Sequence, residues 1–217
     1  MPSMMHATCS ARLITRDYAP CDNDAMTTRD ALTHVLVCAG SGDEWARTSA
    51  DQWRVQVAAI VGAVRDDDVR WLTIVAREGD GTAATRAATL ATVREAFGGE
   101  VVGDRATFID EGGLTVTIDA CADGHRRFAD AIRRLGSPAR IDEQRLAAAL
   151  CAPAPDEPDL VVVLGEATRL PPSLTWELGY SELVFLDVPW LACNAEHLGL
   201  AIDDFRRRSR RFGGLDS

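Results

Sequence analysis

Leu160 to Leu164 (LVVVL) is an unbroken apolar run with no polar residue in alternation, closed by Gly165-Glu166. A strand of that kind must be covered on both faces, which is the condition of a parallel strand inside an α/β sheet. The rest of the chain agrees with this reading. His34 to Cys38 (HVLVC) predicts a short strand closed by Gly40-Ser41-Gly42. Trp53, Val57, Ile60 and Val64 recur at helical spacing, so residues 49 to 65 read as an amphipathic helix that Asp66-Asp67-Asp68 ends. Val69 to Ala76 is a second strand, and residues 83 to 97 an alanine-rich helix stopped by Gly98-Gly99. Glu100 to Ile109 is weakly strand-like, while Leu114 to Asp119 is a clear strand. A basic-faced helix at 126 to 135 and another at 142 to 150 follow. Residues 173 to 180 read as helical, 183 to 185 as a short strand and 194 to 208 as the last helix. Strands alternate with helices, so the expected fold is α/β, with a mostly parallel central sheet flanked by helices. Residues 1 to 30 are polar and mixed and read as a loosely ordered extension, with one domain over 31–217.

Charge and composition exclude several functions. A formal net charge of −10 argues against nucleic acid as a partner, since phosphate-backbone binding needs a basic surface. Every basic residue other than histidine is Arg, which removes lysine chemistry such as a Schiff base or a Walker lysine. The six cysteines form no C-x-x-C pair, and the four histidines are scattered, so a zinc site has no support. Cys38, Cys121 and Cys193 read as small buried hydrophobes, and a reduced, cytoplasmic protein fits best. No apolar run approaches the roughly 18 residues of a membrane span, and the first residues lack the order of a secretory signal.

Three segments carry chemistry. The loop Cys38-Ala39-Gly40-Ser41-Gly42-Asp43-Glu44-Trp45-Ala46 places glycines between a strand and a helix, where backbone N–H groups can face phosphate. It fails both the Walker and the G-x-S-x-G patterns. The second segment, from Pro158, ends its strand in Gly-Glu and continues through Arg169 to Trp176, Tyr180, Glu182 and Leu183. The third, Arg210-Arg211-Phe212-Gly213-Gly214, sets guanidinium groups beside glycine backbone, a combination suited to diphosphate.

Together these segments resemble the cis-prenyltransferases, the undecaprenyl diphosphate synthase family. The family's first loop reads Met-Asp-Gly-Asn-Gly-Arg-Trp-Ala after a strand beginning His-Val. Here His34-Val35, Gly40, Gly42 and Trp45-Ala46 match, with one extra residue between the ends. The family's magnesium-holding Asp falls on Ala39, its Asn on Ser41 and its Arg on Asp43. Its Phe-Ser-x-Glu-Asn-Trp segment after the second strand is replaced by Ala76 to Gly81 (AREGDG), and its Gly-His element is missing. In the later pattern the first Arg falls on Val163 and the Ser on Pro171, whereas Asp159-Leu160, Arg169, Trp176, Tyr180, Glu182 and Leu183 fit. The resemblance spans roughly residues 33 to 214 and is specific over about 159 to 214.

By this resemblance Arg169, Arg211, Gly213 and Gly214 bind diphosphate, and Glu182 binds magnesium shared across a dimer. Gly40, Ser41 and Gly42 are the remnant of a phosphate loop. The chain further resembles the non-catalytic subunits of heteromeric cis-prenyltransferases, the Nogo-B receptor type, though without a membrane segment. That implies a catalytic cis-prenyltransferase as partner, isopentenyl diphosphate as the ligand of the C-terminal arm, and peripheral membrane association through the partner. The alternative is a self-sufficient homodimeric synthase, or an enzyme that rearranges a prenyl diphosphate, in which Asp43 or Glu44 replaces the missing Asp. The apolar stretch from Trp176 to Trp190 implies burial against a second subunit.

Overall fold

Runs of β-branched residues supply the strands of a single sheet, and their burial patterns divide its two faces. The computed structural model describes residues 13–14, 31–79, 81–136, 141–166, 170–179 and 181–212. The strands are β1 (Leu13–Ile14), β2 (His34–Ser41), β3 (Trp71–Glu78), β4 (Glu100–Val102), β5 (Arg105–Ile109), β6 (Thr115–Asp119), β7 (Leu160–Leu164) and β8 (Glu182–Leu186). The helices are α1 (Gly42–Arg47), α2 (Ala50–Val64), α3 (Ala83–Phe97), α4 (Gly124–Arg134), α5 (Glu143–Cys151) and α6 (Ala195–Phe212). The strand order is β1-β8-β7-β2-β3-β6-β5-β4. The five central strands β8, β7, β2, β3 and β6 run parallel, and antiparallel pairing is confined to the two margins.

One face carries Val35, Val37 and Ala39 of β2 with Leu72, Ile74 and Ala76 of β3, and it forms the main core under α1, α2, α3 and α6. Trp45, Trp53 and Trp190 meet there, with ring centroids 5.1 to 5.9 Å apart, and all three are almost fully buried. The opposite face carries Leu36, Cys38, Val75, Val161 and Val163 beneath Leu174. Beside it α4 and α5 enclose a third cluster of Ala131, Leu146, Leu150 and Cys151, against which Phe128 and Trp176 lie. β7 is buried at every position, as its composition requires. Cys38, Cys121 and Cys193 are buried and free.

Several elements differ from the expectation. The weak strand over 100 to 109 is a hairpin, because Gly103 at a φ of +62° turns the chain between β4 and β5. Residues 173 to 179 are not an α-helix: the Ser173 carbonyl accepts from Arg127 Nη1, and the segment makes only a short 3-10 turn at Glu177–Gly179. The last helix runs further than expected, to Phe212, so the backbone of Arg211 is still helical. Much of the stretch from Trp176 to Trp190 is buried within this chain: Val184, Leu186, Val188 and Trp190 all belong to the main core. Leu183 and Phe185, half-buried on the other face, are less covered. Apart from Leu13–Ile14, which pairs with β8, the extension over 1 to 30 lies outside the described residues.

Candidate functional site

The topology fixes where a ligand crevice can form. From β2 the chain proceeds to β3 on one side, and it later returns to place β7 on the other. The loops leaving β2 and β7 therefore diverge, and open α/β sheets bind ligands at that switch point, outside the carboxyl ends of the strands. Cys38 of β2 is level with Val163 of β7. Two residues further on stand Gly40 and Gly165, both at positive φ, +62° and +92°. Each is a glycine for a second, steric reason. A Cβ on Gly40 would lie 2.6 Å from Trp45 Nε1 and 3.0 Å from Glu44 Oε2, and one on Gly165 would lie 2.7 Å from Arg77 Nη1. Arg77 leaves the end of β3, passes the end of β2, and donates through Nη2 to the Glu166 carbonyl.

The glycine loop is thus a formed structure. Ser41 is the N-cap of α1, and its hydroxyl accepts from the Glu44 backbone N–H at 3.1 Å. Asp43 is exposed and Glu44 half-buried in the first turn of that short helix, where both carboxylates complement its positive end. Ala39 is fully buried in the core and offers no ligand. Gly40, Ser41, Gly42, Asp43 and Glu44 are therefore together at the carboxyl edge of the sheet.

Glu182 is elsewhere. It opens β8 level with Leu160, which is level with Val35 near the start of β2. Val35 and Ser41 are six residues apart in one strand, about 20 Å at the rise of an extended chain. The Glu182 carboxylate, 38% exposed, accepts from Arg208 Nη1 at 3.1 Å, and Arg208 also reaches Asp204 at 2.7 Å. It cannot join the loop of its own chain. Among the described residues no group of three or more His, Cys, Asp or Glu side chains is arranged to hold a metal ion, so these residues of one chain do not by themselves fit magnesium. Arg169, Tyr180, Gly213 and Gly214 lie outside the described residues, as does the side chain of Arg211.

The sequence reading missed a buried charge network. Helix α4 reads as basic-faced, and the Arg127 side chain on it is only 5% exposed. Its Nε binds Asp119 Oδ2 at 3.1 Å, its Nη1 donates to the Ser173 carbonyl, and its Nη2 binds Glu177 Oε1 at 2.7 Å. Arg105 Nε binds the same Asp119 oxygen at 2.8 Å. Burial alone would raise the Asp119 carboxyl, but Arg105 and Arg127 outweigh it and hold it below the usual carboxylate range. Burial likewise opposes the Arg127 charge, and Glu177 and Asp119 raise its pKa in spite of it. These bonds fasten the segment from Ser173 to Glu177 onto β6 and α4. His34 lies nearby, with Nδ1 against the Asp156 carbonyl at 3.1 Å and Nε2 against Thr73 Oγ1 at 3.0 Å. Burial lowers its pKa. Burial also pushes the Cys38 thiol up to about 12, so it is inert as a nucleophile. The one available signal for the network was Asp119 at a strand end, with arginines at 105 and 127 around it.

A family model described as "Putative undecaprenyl diphosphate synthase" matches residues 102–213, more than half of the chain. The chain belongs to this family, the cis-prenyltransferases. Isoprenyl transferase 2 of Bradyrhizobium diazoefficiens is 36% identical over 114 residues, which cover 49% of this chain and 45% of that one. A ditrans,polycis-undecaprenyl-diphosphate synthase of Salmonella paratyphi A, specific for (2E,6E)-farnesyl diphosphate, is 33% identical over 112 residues, 48% of this cis-prenyltransferase and 44% of its own length. The matches thus span less than half the length of these curated relatives. The crystal structure of lavandulyl diphosphate synthase from Lavandula x intermedia, in complex with dimethylallyl diphosphate, superposes with a TM-score of 0.54. It covers 82% of this chain and 96% of its own, at 15% identity, and so establishes the fold alone. No described helix of this cis-prenyltransferase is long and apolar enough to cross a membrane.

Proposed function

We propose that this chain is the non-catalytic accessory subunit of a heteromeric prenyl diphosphate synthase. In this reading it pairs with a catalytic cis-prenyltransferase and contributes a C-terminal Arg-x-Gly arm, with Arg211, Gly213 and Gly214, to the partner's isopentenyl diphosphate site. Arg169 adds a second diphosphate contact. The observation that supports it is the first loop. Ala39 supplies no carboxylate for a metal, and Asp43 stands where the family places a phosphate-pairing Arg. Asp43 and Glu44 at that loop disfavour a bound diphosphate by like-charge juxtaposition, which costs several kcal/mol. Glu182, about 20 Å along the sheet from the loop, could serve only a neighbouring subunit. Magnesium enters this reading as an ion shared with the partner, to which Glu182 is the one carboxylate this chain would offer. The complex works in the cytoplasm and meets a membrane through its partner.

The test is prenyl transfer from an allylic diphosphate to isopentenyl diphosphate, assayed with the purified chain alone and with a co-expressed catalytic cis-prenyltransferase from the same organism. Activity confined to the mixture, and lost on Arg211→Ala, is the expected result. Elongation by the isolated chain at the rate of a full synthase would sink the reading. A self-sufficient homodimeric enzyme is the second reading, favoured by the synthase names of the relatives and by the Glu44 carboxylate standing over Gly40. In that case Asp43→Ala and Glu44→Ala abolish activity of the isolated chain. In an accessory subunit Ala39→Asp rescues little.

A further inference from the structure

We infer that Arg208 takes a metal's place beside Glu182: its guanidinium is the cation that Glu182 and Asp204 share, and a divalent ion reaches Glu182 only after Arg208 has left. The choice of magnesium as that ion rests on the function proposed above; the occupied carboxylate rests on geometry. Glu182 opens β8, and its Oε2 accepts from Arg208 Nη1 at 3.1 Å. The same Nη1 lies 3.5 Å from the Leu183 carbonyl. Nη2 of that guanidinium stands 2.7 Å from Asp204 Oδ2, one turn back on α6. Arg208 is therefore set between two carboxylates from two elements, and its side chain is 20% exposed against 10% for Asp204. Asp204 Oδ2 is buried and makes no directed hydrogen bond, so the charge contact with Nη2 is what offsets its burial. Arg207 reaches the other oxygen, Oδ1, at 3.5 Å and from an exposed position.

This arrangement is electrostatically complete without a metal. A guanidinium is always charged and carries donors only, with no lone pair to offer an ion. Magnesium demands oxygen ligands in near-octahedral geometry, and it is usually held by one or two carboxylates together with substrate phosphates. The carboxylate that Glu182 would present already has a positive charge at 3.1 Å. With Arg208 removed, Glu182 and Asp204 are two acids facing the space of one cation, a better divalent site than either acid alone. Arg208 also precedes Arg211 by three residues on α6, so release of Glu182 and placement of the C-terminal arm belong to one helix.

The experiment is titration of the full chain with manganese(II), a paramagnetic stand-in for magnesium, read as loss of the free-ion electron paramagnetic resonance signal. Wild type and Glu182→Gln bind alike, through the acidic surface of a chain with net charge −10. Arg208→Met binds about tenfold tighter or more, because removing one positive charge a few ångströms from a divalent ion has that effect even under water-like screening. The gain disappears in Arg208→Met/Glu182→Gln and in Arg208→Met/Asp204→Asn. Arg208→Lys, which keeps a cation between the two acids, stays at the wild-type value and separates lost charge from lost contacts. Wild type binding tighter than Glu182→Gln, or Arg208→Met binding no tighter than wild type, overturns the inference. The first of these comparisons needs no change at Arg208, so it decides the matter even where that variant does not fold. No partner subunit and no prenyl transfer enter these measurements. Their failure leaves the accessory reading standing, and failure of transfer by the mixed complex leaves Arg208 in its place.

Discussion

Replacing Asp119 by alanine tests whether the buried charge network holds the Ser173 to Glu177 segment in place. Asp119 is 1% exposed. Its Oδ2 takes Arg105 Nε at 2.8 Å and Arg127 Nε at 3.1 Å, and its Oδ1 takes the Cys121 backbone N–H at 3.0 Å. Truncation leaves two largely buried guanidiniums facing one carboxylate, Glu177, and leaves the Cys121 donor without this partner. Breaking a buried pair by removing one member costs about 3–5 kcal/mol. For a chain of this length each kcal/mol moves the melting temperature by about 2–4 °C, so a fall of about 6–20 °C is expected. Urea denaturation followed by circular dichroism gives the value directly, with the slope unchanged. Arg105→Met in the same background should recover part of the loss, because among the described residues Asp119 is the one carboxylate that Arg105 pairs with, whereas Arg127 still neutralises Glu177. A cost for Asp119→Ala below about 1 kcal/mol, or a fully additive double variant, refutes the reasoning. The pH dependence carries the same information. Since the folded pKa of Asp119 lies below its unfolded value of about 3.9, its contribution is complete above that pH. It is lost as the pH falls through the folded value, and the alanine variant should lack that acid-side loss.

Three further outcomes follow from other sites. Burial lowers the pKa of His34, so below about pH 6.5 the unfolded chain takes up that proton first and stability should fall with pH; His34→Gln should flatten this segment of a urea-midpoint profile, and an unchanged slope would refute the assignment. Gly40→Ala must accept a φ of +62° and a contact at 2.6 Å to Trp45 Nε1, so it should lose about 1–3 kcal/mol by urea denaturation. Glu182→Gln removes a partly exposed pair with Arg208, so it should change stability by less than about 1 kcal/mol; a larger loss would mean that the pair helps anchor α6 to β8.

Much of the architecture is written in local pattern. The strand at 160 to 164 and the helix at 83 to 97 coincide with β7 and α3, because apolar continuity and paired glycines are local signals. The elements that escaped depend on partners distant in the chain. Residues 173 to 180 read as helical, but Arg127 binds the Ser173 carbonyl and the Glu177 carboxylate and holds residues 173 to 177 in another path. In the sequence Arg127 is one of several arginines on a basic-faced helix; Asp119 at the end of β6 and Glu177 make it interior. At the candidate site, the loop from Gly40 to Glu44 was legible by residue type. The place of Glu182 at the far end of the sheet came from register, which no single segment encodes. Arg77 drew no notice in the sequence because its setting is created by strand order, with β2 between its own strand and Gly165.

The indole trio of Trp45, Trp53 and Trp190 gives this molecule a built-in optical gauge. Rings 5.1 to 5.9 Å apart couple electronically, so their joint near-ultraviolet signal changes when one of them moves away. Trp45 belongs to the turn that begins at the glycine loop, whereas Trp53 and Trp190 are fixed in other elements. A shift of that turn on occupancy would therefore be visible without any label, against the steadier background of Trp71 and Trp176.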